Sequence, residues 1–378
     1  MKIAFYSSQP LDDKKNWSGT MFKMYEQILN KGFEVVWIKE VELSGSELLR
    51  LNKREKNFNK FFKRGYNTHV NYLRAKIAAK KLKNALESVD FDVLFVPTKI
   101  NDIVFLNIPQ PIVYLNDANV GQLLNYYPYY SGFGFLSKLE TKWLEKKALK
   151  NATLNIFSSE WATNYAIHQY QISSEKVKTM KFGANLEVPK TYHFSKNLDG
   201  DITFLFLAVD WQRKRGQLAY ESLKILKEKG YSIHFLIIGC NPPIKEDWVE
   251  IIPFLNKNNP AELKIIQEKL SNSHFLFVPT VADCTPIAFC EAAGYGLPII
   301  STNTGGVSAH IEHEKTGILL SQNAQASDYT ESIRKILNHP QLMMSYAKNA
   351  REKYETELNW ELWGNNFETF VKKIFEKN

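Results

Sequence analysis

Two doubly wound α/β domains are the architecture this sequence predicts, and three observations predict it. Short continuous runs of Val, Ile, Leu and Phe alternate with segments of helical period. Parallel strands buried on both faces and the helices that cover them produce that alternation. The pattern stops at Leu186–Asp201, LEVPKTYHFSKNLDGD, which has no clear period, and then restarts. The length of 378 residues exceeds one ordinary domain and suits two.

The elements follow in chain order. Lys2–Ser7 is a short apolar run ending in polar loop residues, the first strand. Met21, Met24, Tyr25 and Ile28 give Trp17–Lys31 a helical period, and Gly32–Lys39 is a second strand. Two basic helical stretches follow, near Glu47–Phe62 and His69–Ser88. Phe91–Pro97 and Pro111–Asp117 read as strands, Lys138–Lys150 as a helix, Leu154–Ser159 as a strand and Trp161–Tyr170 as a helix. Val177–Asn185 closes this half. After the linker come strands at Ile202–Val209, Ser232–Gly239, Trp248–Leu255, His274–Thr280 and Leu297–Thr302. Helices at Gln217–Lys229, Ala261–Ser271 and Pro286–Tyr295 alternate with them, and helices near Ala326–Leu337, Gln341–Glu355 and Trp360–Glu376 finish the chain. The divisions are 1–198 with the linker, 199–355, and a terminal helical segment 356–378.

Composition excludes several classes. With 44% hydrophobic and 23% charged residues, each half has the material for a core. No apolar run reaches the roughly 18 residues of a membrane-spanning helix. MKIAFYSSQP reads as a buried strand and not a signal peptide, so a cytoplasmic location is expected. Cys240, Cys284 and Cys290 are too few for a disulfide framework and lack zinc spacing, so they read as reduced thiols. The net charge of +8 favours anionic partners. Cations crowd Arg50–Lys83, interleaved with Phe58, Phe61, Phe62 and Tyr66. Solvated helix faces explain that stretch as structure, and docking on an anionic membrane explains it as function. No RNA-recognition, zinc-finger or helix-turn-helix pattern is present, so nucleic acid is not an expected partner.

The chemistry concentrates in VADCTPIAFCEAAGYGLPIISTNTGG, Val281–Gly306. In doubly wound sheets ligands bind beyond the carboxyl ends of the strands, and Asp283 follows one such strand. Thr285 suits a helix N-cap and Pro286 the first helical position. The free N–H groups of that helix start suit a phosphate, with Ile287 beside it. Glu291 lies inside the helix, one turn past Ile287, and a carboxylate there requires a partner. The two vicinal hydroxyls of a ribose would satisfy it; a salt bridge is the structural alternative, as a plain loop acid is for Asp283. Arg213 and Lys214, in DWQRKRG after the strand Ile202–Val209, place two cations where a diphosphate needs them. Ser301–Gly306, STNTGG, supplies a third strand end where backbone approaches closely.

Asp283-x7-Glu291, GLPIIS and TGG resemble, in order, the signature of the family 4 glycosyltransferases. NWSGTMFKMYEQILNKGFEVVWIK, with Ser18-Gly19-Thr20, is similar to that family's N-terminal glycine loop, helix and second strand. The resemblance covers most of the second half and extends weakly into the first. It implies the GT-B fold: two doubly wound, Rossmann-like domains facing a cleft, with the last helix crossing back to the first domain. It implies a retaining, metal-independent transfer of a sugar from a nucleoside-diphosphate donor to a glycan or lipid-linked acceptor, with no cofactor. Such a role suits surface-glycan synthesis at the inner face of the cell membrane.

Carried onto this sequence, the resemblance puts Glu291 on the ribose and Asp283 on donor-sugar hydroxyls. Lys214 and, less closely, Arg213 go to the diphosphate, and Cys284, Thr285, Pro286 and Ile287 stand at the usual glycine turn. Ser18 and Gly19 face phosphates or acceptor, and Asp117, in YLNDA, stands where many members carry a histidine near the donor sugar. The sequence departs from the pattern in three ways: the first acid is Asp instead of Glu, the turn is Cys-Thr-Pro-Ile, and the Arg–Lys spacing is tighter. A non-catalytic sugar-nucleotide-binding subunit and a nucleotide-sugar epimerase are the alternative functions on this fold. Asp90-Phe91-Asp92 has the form of a metal motif but precedes its strand, and His310 and His313 read as an exposed helix end. No metal site is expected.

Overall fold

The computed structural model describes residues 1–191 and 200–376. The predicted division at 198/199, part of the predicted linker and the last two residues of the chain lie outside the described residues. The chain divides into two compact units, Met1–Met180 with Trp363–Asn378, and Lys181–Leu362.

The first unit runs β1 (Lys2–Ser7), α1 (Thr20–Asn30), β2 (Glu34–Lys39), α2 (Gly45–Phe62), α3 (Tyr72–Leu86), β3 (Val93–Pro97), β4 (Ile112–Asn116), α4 (Val120–Leu123), α5 (Phe135–Asn151), β5 (Leu154–Phe157), α6 (Glu160–His168) and β6 (Val177–Thr179). Its sheet has the order β2-β1-β3-β4-β5-β6, with every neighbouring pair parallel. β3, β4 and β5 are buried throughout, which is why they read as unbroken apolar runs. Helix α1 starts three residues later than its periodicity predicts. Trp17 and Ser18 sit at φ 49° and 57°, in the left-handed region, and hold a tight turn ahead of it.

The second unit runs β7 (Ile202–Leu207), α7 (Gly216–Glu228), β8 (Ile233–Ile238), β9 (Val249–Ile252), α8 (Pro260–Asn272), β10 (Phe275–Val278), α9 (Ile287–Gly294), β11 (Ile299–Thr302), β12 (Gly317–Leu320), α10 (Ala326–Leu337) and α11 (Pro340–Thr356). Its sheet order is β12-β11-β10-β7-β8-β9, again all parallel. Phe204 and Phe275 stack at 4.9 Å across the central pair. β9 is an edge strand and ends at Ile252, just before Pro253, a residue that such an edge tolerates. β12 carries no strong strand pattern. Its Gly317 is required by packing, since a Cβ there would lie 2.0 Å from the Ile299 carbonyl oxygen. The last helix, α12 (Trp360–Glu376), gives the first unit Trp363 and Phe367, which stack at 5.1 Å; Phe367 meets the ring of Phe95 at 5.1 Å.

Each sheet reverses its winding once, between β1 and β3 in the first and between β7 and β10 in the second. Adjacent strands there send their following loops to opposite faces, which opens a crevice at their carboxyl ends.

Candidate functional site

The crevice of the second unit is lined by the loops after β7 and β10. The first loop is a rigid turn. The Asp210 carboxylate accepts the Arg213 backbone N–H at 3.0 Å and its Nε at 3.3 Å. Arg215 is left-handed at φ 51°, and Gly216 packs so closely on Trp211 that a Cβ would lie 2.0 Å from the indole. Arg213 ties this turn to the second loop. Its Nη1 donates to the Ala282 carbonyl at 2.9 Å, and its own carbonyl accepts the Val281 N–H at 2.9 Å. Arg213 therefore directs two of its donors at the protein and holds the loops in register.

Lys214, the next residue, aims its ammonium across the crevice onto the Asp283 carboxylate. Asp283 is only 8% exposed. Its backbone carbonyl accepts the Gly306 N–H at 3.1 Å, and Thr304 Oγ1 donates to the Val281 carbonyl at 2.9 Å. Those bonds bring in the loop after β11, the STNTGG strand end. Three consecutive strand ends in the sheet thus converge on one ion pair.

Helix α9 begins behind Asp283, one residue later than the sequence predicts. Pro286 itself is the N-cap, with ψ 97°, Ile287 is the first helical residue, and no side chain caps the helix. The expected Thr285 cap is corrected accordingly: Pro286 lacks an N–H but its extended ψ lets its carbonyl take the Phe289 N–H at 2.8 Å. The N–H groups of Ile287 and Ala288 precede that first bond and have no intrahelical acceptor. Cys284 is buried and Thr285 half-buried beside them.

Glu291 is 1% exposed, and its partner is the ammonium of Lys257, on the loop after β9. Glu291 thus has the salt-bridge partner that was its structural alternative. Lys257 is the site partner the sequence did not offer, because nothing local links two positions 34 apart. Asp210 was legible in principle, as an acid three residues before Arg213 at a turn. Cys290 donates its thiol to the Phe182 carbonyl at 3.3 Å, and burial pushes its pKa up, so it is an inert structural thiol.

His310 is not the exposed helix end the sequence suggested. It is buried, its Nδ1 lies 3.2 Å from the Gly306 carbonyl, and burial pulls its pKa down to about 4. The chain turns inward there because the short turn Val307–Ala309 is itself buried at both ends. His313 is exposed, and its Nδ1 accepts the Leu319 N–H at 3.2 Å. Asp92 accepts the Lys2 N–H at 2.7 Å at the amino end of β3, away from the carboxyl-end loops. Among the described residues no group of three or more His, Cys, Asp or Glu is placed to hold a metal ion.

In the first unit, Ser18 and Gly19 occupy the loop after β1 and Asp117 follows β4, so all three lie at carboxyl ends of that sheet. Gly19, at φ 91°, is the N-cap of α1. Asp117 is half-buried, and its N–H donates to Asn116 Oδ1 at 3.0 Å. A second acid, unnoticed in the sequence, fixes the loop that carries it. The fully buried Glu145 accepts the Val120 N–H at 2.5 Å, the Gly121 N–H at 2.8 Å and the Tyr170 hydroxyl at 2.6 Å. Burial raises its pKa to about 7 despite those donors.

Two parallel, doubly wound α/β units, each with a switch point, define the class of fold. Residues 189–353 match the family described as glycosyl transferases group 1, so the chain carries a group 1 glycosyltransferase domain. The chain is similar to the capsular polysaccharide biosynthesis glycosyltransferase CapM of Staphylococcus aureus, with 24% identity over 254 residues. That match covers 61% of this chain and 65% of CapM, so the chain spans just under two thirds of that relative's length. Among solved structures, a sucrose-phosphate synthase from Thermosynechococcus elongatus superposes with a TM-score of 0.69 at 14% identity, covering 100% of both chains. Anabaena HepE, solved with UDP and glucose, gives a TM-score of 0.64 at 13% identity over 99% of this chain and 100% of its own. These likenesses establish the two-domain GT-B fold.

Proposed function

We propose that the protein is a retaining glycosyltransferase that moves a sugar from a nucleoside-diphosphate donor to a glycan or lipid-linked acceptor. The observation that carries this is the Lys214–Asp283 pair across the β7–β10 crevice, inside the group 1 domain. As the donor's glycosidic bond breaks, negative charge grows on the diphosphate and positive charge on the sugar ring. A cation fixed at the crevice and the N–H groups opening α9 stabilise the first without reorganising. Asp283 takes donor-sugar hydroxyls, and Glu291 exchanges Lys257 for the ribose hydroxyls. Arg213 contributes mainly by holding Lys214 in place. Asp117, with Ser18 and Gly19, serves the acceptor and sugar side.

In this scheme Lys214 and the N–H groups opening α9 supply the charge neutralisation at the diphosphate that a metal would otherwise give. The similarity to CapM supports a role in surface-glycan synthesis, at the cytoplasmic face of the membrane, where Arg50–Lys83 would meet anionic lipid. The test is a thermal-shift panel of UDP, GDP, ADP and their sugars without added metal. A ligand at 100 times its dissociation constant stabilises by about 2.7 kcal/mol. One nucleotide that shifts the melting temperature equally with and without EDTA is the expected result. A shift that requires a divalent cation would overturn the metal-free scheme, and no shift with any nucleotide would overturn the donor site.

A further inference from the structure

The exposed apolar side chains of the first unit are not scattered. Phe61 and Phe62 end α2, and Phe135, Leu136, Leu139 and Trp143 run along the start of α5. Phe61 is 81% exposed, Phe135 73% and Trp143 51%. Single exposed hydrophobes are ordinary, whereas a cluster calls for a partner. The two helices are joined where this cluster lies. Gly65 N–H donates to the Gly132 carbonyl at 3.1 Å, Gly134 N–H donates to the Gly65 carbonyl at 2.9 Å, and Arg54 reaches Glu140 at 2.9 Å. Gly134 sits against Phe58, whose ring is 4.6 Å from that of Phe62. Along α5, Phe135, Leu139 and Trp143 recur at four-residue spacing and share one face. Lys142, Lys146 and Lys150 continue that face toward the C-terminus.

The charge around the cluster is one-sided. Residues 45–64 hold seven cations and two acids, and residues 135–151 hold five cations and two acids. Together these two stretches carry the whole net charge of the chain, +8. Further along the basic stretch, Lys81 is engaged internally, by Glu47 at 2.6 Å and by the Glu42 carbonyl at 2.8 Å. The α5 face lies outside Arg50–Lys83 and extends, with Phe135, Leu139 and Trp143, the exposed apolar surface that Phe61 and Phe62 begin.

We infer that the paired ends of α2 and α5 form an interfacial anchor that seats on an anionic lipid bilayer. Phe61, Phe135, Leu139 and Trp143 enter the headgroup boundary, and the flanking lysines meet lipid phosphates. Charge complementarity selects this occupant. A second copy of the chain would bring two strongly cationic faces together. A nucleic acid would use the rings for stacking but leave Leu136 and Leu139 unmatched. The inference deepens the proposed function, on which it rests only in expecting the acceptor to be presented at a membrane.

The experiment is flotation of the full chain with vesicles of phosphatidylglycerol in phosphatidylcholine, and with phosphatidylcholine alone. Binding is expected only to the anionic vesicles. It should fall by about tenfold or more in Phe135→Ser/Leu139→Ser and in Lys142→Glu/Lys146→Glu. The melting temperature and its nucleotide-induced shift should be unchanged in both variants. Absence of binding to anionic vesicles, or equal binding by the variants, overturns the anchor. So does a concentration-dependent dimer in light scattering that the same variants abolish, which would make a second copy the occupant. Flotation needs neither donor nor turnover, so its outcome is separate from the fate of the glycosyltransferase assignment.

Discussion

Lys214 and Asp283 form an ion pair across the crevice between β7 and β10, 69 residues apart in sequence and both largely buried. In the proposed scheme the pair sets a cation for the donor's diphosphate beside an anion for its sugar. Lys214→Ala should lower turnover by about 10²–10³-fold, the scale of one lost preorganised donor to a developing oxyanion. It should also abolish the thermal shift given by the nucleoside diphosphate. Asp283→Asn should keep that shift and lose discrimination between donor sugars. Equal nucleotide shifts in Lys214→Ala and wild type would remove Lys214 from the diphosphate.

The second ion pair gives an asymmetric prediction. Lys257 is partly exposed and returns to water when Glu291 is removed, whereas Glu291 without Lys257 is a buried carboxylate with its main partner gone. Lys257→Ala should therefore destabilise the unliganded protein by about 1–3 kcal/mol. Ribose hydroxyls would then partner Glu291, so the nucleotide-induced shift in melting temperature should be larger in this variant than in wild type. A smaller shift would mean that Lys257 itself binds the nucleotide.

Gly216 tests whether the turn, and not only its charges, makes the site. A Cβ there would lie 2.0 Å from the Trp211 ring, so Gly216→Ala must displace the turn that carries Arg213 and Lys214. The expected outcome is weaker nucleotide binding with both cations still present, measured by calorimetry. Unaltered affinity would show that the turn absorbs the methyl group by rotating Trp211.

The two units should answer acid in opposite directions. Glu145 has its pKa raised by burial from 4.5 to about 7, so its protonated form is the one the fold favours. Its contribution is complete below the unfolded value and is lost as pH rises through about 7, a change of about 3 kcal/mol. His310 is pulled down from 6.5 to about 4, so its contribution is present above 6.5 and lost as pH falls through about 4. Between these limits the two slopes oppose each other. Glu145→Gln should make stability against urea rise more steeply with pH between about 4.5 and 7 than in wild type. Amide exchange should assign the change to the first unit. An unchanged slope would place the Glu145 titration outside that window.

The sequence by itself determined the alternation of strands and helices, because parallel strands buried on both faces must be continuously apolar. It also determined Asp283, Lys214 and Glu291 as candidates, because loop cations and a carboxylate inside an apolar helix are anomalies that need a partner. Helix ends were legible to within a few residues, as at α10 and α12. They were missed where backbone geometry decides, at Ser18 and Pro286. Tertiary structure alone decided who meets whom. The strand order sets β7 beside β10 and so brings Lys214 to Asp283. The loop after β9 delivers Lys257 to Glu291, and folding buries His310 and Glu145. It also joins α2 to α5, turning a basic stretch and an unremarked helix into one surface. Pairings between distant residues leave no local pattern, since each partner alone looks like an ordinary charged side chain until the sheet fixes its neighbours.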